Sequence, residues 1–200
     1  MGESTNSTHP DFWNRRYAAG NTPWDFHGIP EALTSFLHRS SSPGTVLIPG
    51  CGSGHEIKAF HDAGFAVTAI DFSPVAVDKA RLQLGPLSEK IVLGDFFSFD
   101  FGPRRFDLIY ERTFLCSLSP VRWPRYVARM AELCAPDGRL IGLFLYGQEP
   151  DPPPYPLAEN HAGELFGRNF RLVHTAPVSD SLPLFRGMER WQEWQPIRRC

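Results

Sequence analysis

The stretch Val46-Leu47-Ile48-Pro49-Gly50-Cys51-Gly52-Ser53-Gly54-His55-Glu56 determines how the rest of the sequence can be interpreted. Its apolar start predicts a buried strand, and residues 57–64 carry apolar side chains at helical spacing before a closing glycine. The alternate glycines between them predict a tight turn. Glycine adopts positive φ angles and lets a ligand approach the backbone where a Cβ atom would collide. The stretch therefore predicts a strand, a ligand-binding turn and a helix.

A second predicted strand, Ala66–Ile70, ends in Asp71. An acidic side chain at this point of a βαβ unit can accept hydrogen bonds from the hydroxyl groups of a ribose. Asp95 and Phe96 follow a third short strand, residues 91–93, at the same predicted edge of the sheet. We expect Asp95 to accept from an adenine amino group and Phe96 to lie against the ring. The sequence therefore predicts a site for an adenosine-containing cofactor.

The form of the glycine turn separates two classes of such cofactor. The dinucleotide pattern G-x-G-x-x-G requires glycine at the position that His55 occupies. The compact G-x-G-x-G turn instead resembles the turn of S-adenosylmethionine-dependent methyltransferases, which seat no pyrophosphate. A P-loop is excluded, because no Gly-Lys-Ser/Thr follows. A methyltransferase is the leading hypothesis, and the alternatives are a Rossmann-type NAD(P)-dependent oxidoreductase and a non-catalytic protein that binds S-adenosylmethionine.

Composition and charge exclude several other classes of protein. The 200 residues are 42% hydrophobic and 21% charged, as expected for one globular domain. A net charge of −2 gives no reason to expect nucleic acid or a membrane surface as partner. The four cysteines lack C-x-x-C spacing and the seven histidines lack ligand spacing, so we predict reduced thiols and no metal. We expect a cytoplasmic monomer with a small-molecule substrate, a flexible tail at residues 1–11 and one domain at 12–200.

Aromatic residues are concentrated ahead of the glycine turn. Trp13 and Tyr17 are four residues apart and would share one face of a helix, and Trp24 follows after a break. Aromatic faces attract cations, by up to about 2 kcal/mol when water is excluded, and the cofactor's sulfonium is a cation. We therefore predict that residues 12–40 form an aromatic lid over the cofactor.

Two further residues are candidates for substrate chemistry. Arg112 lies at the tip of the predicted strand Phe106–Tyr110, next to the cofactor pocket. It cannot act as a base, but it could hold an anionic substrate, stabilise a thiolate or contact the cofactor's carboxylate. Tyr155 lies in the proline-rich loop 146–156, which we expect to wall the substrate pocket. It would either donate a hydrogen bond to the acceptor or only form part of that wall.

Taken together, these stretches resemble the thiopurine S-methyltransferase superfamily, and most closely its halide/thiol (thiocyanate) methyltransferase branch. The resemblance implies a single-domain α/β fold of class I S-adenosylmethionine-dependent methyltransferase (Rossmann-like) type, with a seven-stranded mixed sheet flanked by helices. The resemblance to this family rests on the following residues: Phe12-Trp13 with Tyr17, Thr22-Pro23-Trp24-Asp25, Ile48-Pro49-Gly50-Cys51-Gly52, Asp71, Gly94-Asp95-Phe96-Phe97, Thr113-Phe114-Leu115-Cys116 and Pro153-Pro154-Tyr155. It implies cofactor contact by Trp13, Tyr17, Trp24, Gly50, Asp71, Asp95, Phe96 and Arg112, and we add Gly52 from the turn itself.

The resemblance also implies the reaction. A soft nucleophile would attack the methyl carbon of S-adenosylmethionine in line and leave S-adenosylhomocysteine as product. Candidate acceptors are thiols, hydrosulfide, thiocyanate, thiopurines and halides. The substrate side mixes two patterns, because Arg112 is typical of the thiopurine enzymes and the glycine turn is typical of the halide/thiol enzymes. Tyr17 stands where tryptophan is common in the family. The acceptor is therefore not transferred by name.

Overall fold

Seven strands form one mixed sheet in the computed structural model, which describes residues 7–198. In chain order the strands are β1 Thr45–Pro49, β2 Ala66–Asp71, β3 Ile91–Leu93, β4 Phe106–Arg112, β5 Cys134–Leu145, β6 Phe170–Pro177 and β7 Glu189–Pro196. Across the sheet they run β3-β2-β1-β4-β5-β7-β6. The first five are parallel, and β7 lies antiparallel between β5 and β6. The predicted seven-stranded mixed sheet is confirmed.

Helices cover both faces of this sheet. The α-helices of the described residues are α1 Pro10–Ala19, α2 Glu31–Arg39, α3 His55–Asp62, α4 Pro74–Leu84, α5 Trp123–Leu133 and α6 His161–Phe166. Apolar side chains of α2, α3 and α4 form one core layer with β1 and β2, and those of α5 and α6 form the other. The parallel strands are buried on both faces, which explains why their sequences are continuous apolar runs. None of the helices within residues 7–198 is long and apolar enough to cross a membrane.

Local sequence signals fix the elements around the central strand. The hydroxyl oxygen of Ser73 accepts a hydrogen bond from the Ala76 N–H at 3.2 Å, and Pro74 opens α4, as its sequence predicts. Gly50 and Gly54 adopt φ angles of 60° and 72°, which turn the chain from β1 into α3. The chain therefore leaves β1 at the edge where the neighbouring parallel strands also end.

This edge contains the topological switch point of the sheet. β1 pairs with β2 on one side and with β4 on the other, so the connections from these strands diverge. Ligands of open α/β sheets bind in the crevice outside such a point. The fold thus places the site at the carboxyl ends of β1, β2 and β4.

Three boundaries differ from the sequence prediction. α1 begins at Pro10, inside the predicted tail 1–11, and residues 1–6 of that tail lie outside the described residues. The sequence pattern of residues 136–138, Pro-Asp-Gly, predicts a turn, but β5 already begins at Cys134, with a register irregularity opposite β4 in its first residues. α2, which falls within the predicted lid, packs on the sheet instead, with the Phe36 ring 5.6 Å from that of Trp191. Of the predicted lid, residues 12–40, only the part up to Asp25 lines the cavities at the carboxyl ends of the strands.

Candidate active site

Two adjoining cavities open at the carboxyl ends of β1, β2 and β4. The larger has a volume of about 250 Å³ and the smaller about 40 Å³. Their shared wall consists of Tyr17, Trp24, Gly50 and Thr113. Because the glycine turn and the aromatic lid form this wall, both cavities belong to one site.

All nine predicted cofactor residues line one of these cavities, although cofactor contact itself stays a prediction. The larger cavity is lined by Trp13, Tyr17, Trp24, Gly50, Asp71, Asp95 and Phe96. Gly52 and Arg112 line the smaller one. Tyr155 lines neither. Its ring packs against the hydrophobic core, and its N–H donates to the Cys116 carbonyl at 2.7 Å. The neighbouring Pro153 and Pro154 line the larger cavity instead, and the role of this loop as a substrate wall stays a prediction.

Asp71 is buried at the end of β2 and holds the glycine turn in place. One carboxylate oxygen accepts from the Gly52 N–H and the other from the Ser73 N–H, each at 2.9 Å. Burial raises the pKa of this carboxyl group, and the backbone N–H donors act in the opposite direction. A carboxylate has about four lone-pair sites, so these contacts leave acceptor capacity unused. Asp71 also lines the larger cavity, as a ribose-binding carboxylate requires.

The glycine turn leaves no room for side chains beneath the lid. A Cβ atom on Gly52 would lie 2.4 Å from the Tyr17 hydroxyl oxygen, and one on Gly50 would lie 2.5 Å from the Phe114 ring. Tyr17 is buried, and its hydroxyl accepts from the Trp24 indole N–H at 3.4 Å. Glycine at positions 50 and 52 therefore leaves room for the Tyr17 and Phe114 side chains against the turn.

The lid is built from perpendicular ring contacts. Trp24 packs edge-on against Trp13 and Tyr17, with ring centroids 5.4 and 6.0 Å apart. Behind these rings, the Asn14 side-chain oxygen accepts from the Ser73 hydroxyl at 2.6 Å, which ties α1 to the loop after β2. The three predicted lid aromatics therefore form one cluster over the cavities.

Asp25 fastens the other end of the lid to the glycine turn. It accepts a hydrogen bond from the Ser53 hydroxyl, and its second oxygen lies 2.9 Å from His55 Nε2. Burial disfavours the Asp25 anion, but the contacts from His55, Ser53 and the His27 N–H outweigh it and hold the pKa well below its usual range. The same contact with Asp25 raises the pKa of His55. We call these contacts of Asp25 with Ser53 and His55 the lid clasp.

Arg112 enters the smaller cavity from the end of β4. One guanidinium nitrogen lies 3.8 Å from a carboxylate oxygen of Glu56, and the group lies 5.1 Å from the Phe26 ring centroid. The Nε of Arg112 and the hydroxyl of Tyr110 are buried without a hydrogen-bond partner among the described residues. Burial raises the pKa of Glu56, and the charge of Arg112 opposes this shift. The smaller cavity therefore offers a cation, an anion and unused donors to a ligand with both charges.

Glu111 points to the opposite face of β4, as the alternation of a strand requires. Its carboxylate accepts from the Phe114 and Leu115 N–H groups at 2.9 Å and from the Tyr126 hydroxyl at 2.5 Å. It therefore supports the turn that carries Thr113, whose φ of 60° is a strained conformation for a β-branched residue. Sequence reasoning missed this role, since a glutamate at a strand tip gives no sign of burial.

The prediction that no metal binds stays a prediction. Ligand atoms of Asp25, His27 and His55 lie within 4.8 Å of one another, but the lid clasp and the His27 N–H already satisfy the carboxylate. Cys51 lines the smaller cavity in the reduced state, and burial raises the pKa of its thiol. A protonated thiol is a poor nucleophile, so we expect Cys51 to pack against the ligand without reacting.

The strand order and the position of the site define the class of protein. A seven-stranded sheet with an antiparallel strand inserted before the last, and a ligand crevice at β1, is the class I methyltransferase fold. A crystal structure of Burkholderia thailandensis 1,6-didemethyltoxoflavin-N1-methyltransferase, with bound 1,6-didemethyltoxoflavin and S-adenosylhomocysteine, superposes with a TM-score of 0.74 at 22% identity. The match covers 95% of this chain and 87% of that one, and the fold prediction is confirmed.

Sequence comparison shows the family. Residues 8–194 match the thiopurine S-methyltransferase family. Thiocyanate methyltransferase 1 of Brassica oleracea is 31% identical over 192 residues, which cover 92% of this chain and 84% of the relative. Probable thiol methyltransferase 2 of Arabidopsis thaliana is 28% identical over 190 residues, with the same coverage. The chain belongs to the thiopurine S-methyltransferase family, as its motifs predict.

Proposed function

We propose that this chain is an S-adenosylmethionine-dependent S-methyltransferase that acts on a small soft nucleophile. The candidate acceptors are thiols, hydrosulfide, thiocyanate and thiopurines, with halides as a further group. The observation that carries the proposal is the convergence of the glycine turn, the buried Asp71 and the aromatic lid on one pair of cavities. Similarity to thiol and thiocyanate methyltransferases supports the same class of acceptor.

The residues of the site fit this cofactor. Asp71 offers acceptors to a ribose, and Asp95 and Phe96 offer an acceptor and a ring to an adenine. In the smaller cavity the unpartnered Arg112 Nε suits a carboxylate, and Glu56 suits an ammonium group. Of the roles that the sequence left open for Arg112, its position away from the larger cavity favours contact with the cofactor's carboxylate.

The chain's contribution to the reaction is alignment and exclusion of water. When bound, S-adenosylmethionine supplies a methyl group on a positively charged sulfur. Trp13, Tyr17 and Trp24 would shield this charge from water, and Phe114 with the proline loop would confine the acceptor. Such placement can contribute about 7–11 kcal/mol. A thiol ionises near pH 8.5 on its own, so no dedicated base is required. Tyr155, which lies outside the cavity lining, would support the wall.

Binding measurements test the proposal. Calorimetry with S-adenosylhomocysteine should give a dissociation constant in the micromolar range or lower, and methyl transfer to a panel of thiols, thiocyanate, halides and thiopurines should yield product. Absence of any heat would overturn it. Binding without product from any acceptor would favour the non-catalytic alternative.

The oxidoreductase alternative has no specific observation in its favour. The sheet order with an antiparallel β7 differs from the 3-2-1-4-5-6 order of dinucleotide-binding domains, and His55 interrupts their glycine pattern. Quenching of NADH fluorescence at low micromolar protein would reverse this conclusion. We further propose that the protein is a cytoplasmic monomer. The free thiols of Cys51, Cys116 and Cys134 support a reducing compartment.

A further inference from the structure

Two arginines that the proposed function does not use line the larger cavity. Arg122, in the turn that precedes α5, lines it, and its guanidinium carbon lies 4.4 Å from the centroid of the Phe97 ring. Arg16 lines the same cavity, with its guanidinium 3.6 Å from the Phe12 centroid. Stacking on a ring holds a guanidinium in place without using its hydrogen-bond donors for the contact. Both cations are therefore positioned at the cavity with donors still available.

No carboxylate neutralises Arg122 locally. Within residues 7–198, none of the ion pairs includes it. The acidic residues of the cavity are Asp71, the last residue of β2, and Asp95, two residues before Phe97. The surroundings of Arg122 are instead mainly apolar. Its guanidinium stacks on Phe97, and other apolar residues of the same cavity lining include Phe114, Leu118, Pro153, Pro154 and Phe185. An unpaired cation beside an apolar wall attracts anions more strongly than one in open water, because the effective dielectric constant is lower.

Arg122 is connected through the backbone to the proline loop, which we expect to wall the acceptor. Its N–H donates to the Ser119 carbonyl at 2.8 Å, and the same segment is joined to the proline loop by the hydrogen bond from the Tyr155 N–H to Cys116. Ser117 and Leu118, between these two points, also line the larger cavity. Arg122 thus belongs to a segment of the cavity lining that is hydrogen-bonded to the proline loop.

We propose that Arg122 is a binding residue that selects acceptors carrying a carboxylate or a similar anionic group in addition to the reacting sulfur. The inference rests on the proposed methyltransferase function and names the substrate class of that site. A carboxylate can take two parallel hydrogen bonds from a guanidinium, which fixes the orientation of the acceptor as well as its affinity. The acceptor's sulfur then faces the lid while its anionic group remains at Arg122.

The chain offers a matched control for this residue. Arg125, one turn further along, stacks on the same Phe97 ring at 5.0 Å but is exposed and does not line the cavity. Arg122→Gln and Arg125→Gln therefore each remove one contact with this ring and one positive charge, and Arg125→Gln also removes a hydrogen bond to the Phe97 carbonyl at 3.4 Å. Only Arg122→Gln removes a donor from the cavity.

The experiment compares 3-mercaptopropionate with 3-mercaptopropionamide, which differ in charge and hardly in size. For Arg122→Gln we expect the KM of the carboxylate to rise about tenfold to a hundredfold, the range of a charge-assisted hydrogen bond. The KM of the amide, both kcat values and the affinity for S-adenosylhomocysteine should change less than about twofold. Arg125→Gln should leave all of them unchanged. Ratios of variant to wild type for each acceptor cancel differences in thiol ionisation.

A binding measurement separates this inference from the proposed function. If the wild-type protein methylates neither thiol and does not bind S-adenosylhomocysteine, the proposed function fails. Calorimetry with 3-(methylthio)propionate and its amide still decides the inference, since the carboxylate should bind at least about tenfold more tightly, and only while Arg122 is present. Equal effects of the two arginine variants, equal loss for both acceptors, or weaker S-adenosylhomocysteine binding in Arg122→Gln would overturn it.

Discussion

At the scale of single residues, the site depends on the absence of a Cβ atom at Gly52. Gly52 has a φ of 50°, and the Tyr17 hydroxyl occupies the space where its side chain would lie. A larger residue would therefore strain the backbone and also move a buried ring of the lid. These two effects can be separated, because Gly102 has a similar φ of 65° with no atom within 4 Å of an added Cβ.

We expect Gly52→Ala to weaken S-adenosylhomocysteine binding at least about tenfold. Both Gly52→Ala and Gly102→Ala should lose about 1–2 kcal/mol of stability, because alanine is strained in the left-handed backbone conformation. The binding loss reflects displacement of Tyr17 from beneath Trp24. Calorimetry and urea unfolding of the two variants provide the measurement. Equal affinities for the ligand in both variants would show that Tyr17 does not need this position.

Asp71 supports a second prediction at this scale. Asparagine has one acceptor oxygen, so Asp71→Asn cannot accept from both the Gly52 and the Ser73 N–H groups as the carboxylate does. We expect a loss of about 1–3 kcal/mol of stability and at least about tenfold weaker binding of S-adenosylhomocysteine. Asp78→Asn, exposed on α4, is the control and should change neither. Unchanged ligand affinity in Asp71→Asn would remove the ribose-binding role.

At the scale of elements, the lid is held by the clasp that Asp25 forms with Ser53 and His55. Asp25→Ala should speed hydrogen exchange of the amides at residues 20–28 and weaken S-adenosylhomocysteine binding, because the loop loses its attachment to the glycine turn. Asp62→Ala, exposed on α3, removes a carboxylate from the same helix as His55 and should have no such effect. Unaltered exchange at residues 20–28 in Asp25→Ala would contradict the clasp.

The clasp also predicts a dependence on pH. Since Asp25 raises the pKa of His55, the ionic part of the contact is complete below the ordinary histidine value of about 6.5 and is lost as pH rises through the raised pKa. Wild-type affinity for S-adenosylhomocysteine should therefore fall over this range. The affinity of Asp25→Ala should vary less with pH, and an identical profile would count against the argument.

The elements themselves could largely be read from the sequence, while contacts between distant elements could not. β1, β2 and β3 are apolar runs bounded by glycine or by capping residues, and such signals are local. The lid clasp joins residues 25 and 55, and the pairing of Arg112 with Glu56 depends on how α3 crosses the end of β4. The proline-rich loop predicts that Tyr155 lies near the acceptor, but its ring packs against the core, while Pro153 and Pro154 line the cavity.

At the scale of the whole molecule, four buried carboxyl groups and one histidine share raised pKa values, whereas the lid clasp lowers the pKa of Asp25. Burial raises the pKa values of Asp71, Glu56, Glu111 and Glu189, and contact with Asp25 raises that of His55. In each case the folded protein binds the proton more tightly than the unfolded chain does. Stability from these groups is therefore present at lower pH and declines as pH rises through the raised values.

The pH dependence of stability can be measured at one residue, Glu111. Burial raises its pKa to about 7, although its hydrogen bonds act in the opposite direction. The ordinary glutamate value is about 4.3, so the folded state loses up to about 3 kcal/mol relative to the unfolded chain between pH 4.3 and pH 7. Glu111→Gln keeps an acceptor for the Phe114 and Leu115 N–H groups and cannot ionise. Its free energy of unfolding should therefore fall less than that of the wild type between pH 5 and pH 8.

Urea unfolding at four pH values across this range measures the difference. Glu132→Gln, exposed on α5, should follow the wild-type curve, since its carboxyl group is not buried. The other buried carboxyl groups contribute equally to all three proteins, so the difference between the curves isolates Glu111. If Glu111→Gln and the wild type lose stability in parallel, the carboxylate is stabilised in its ionised form by Tyr126 and the two N–H donors, and burial does not control its proton.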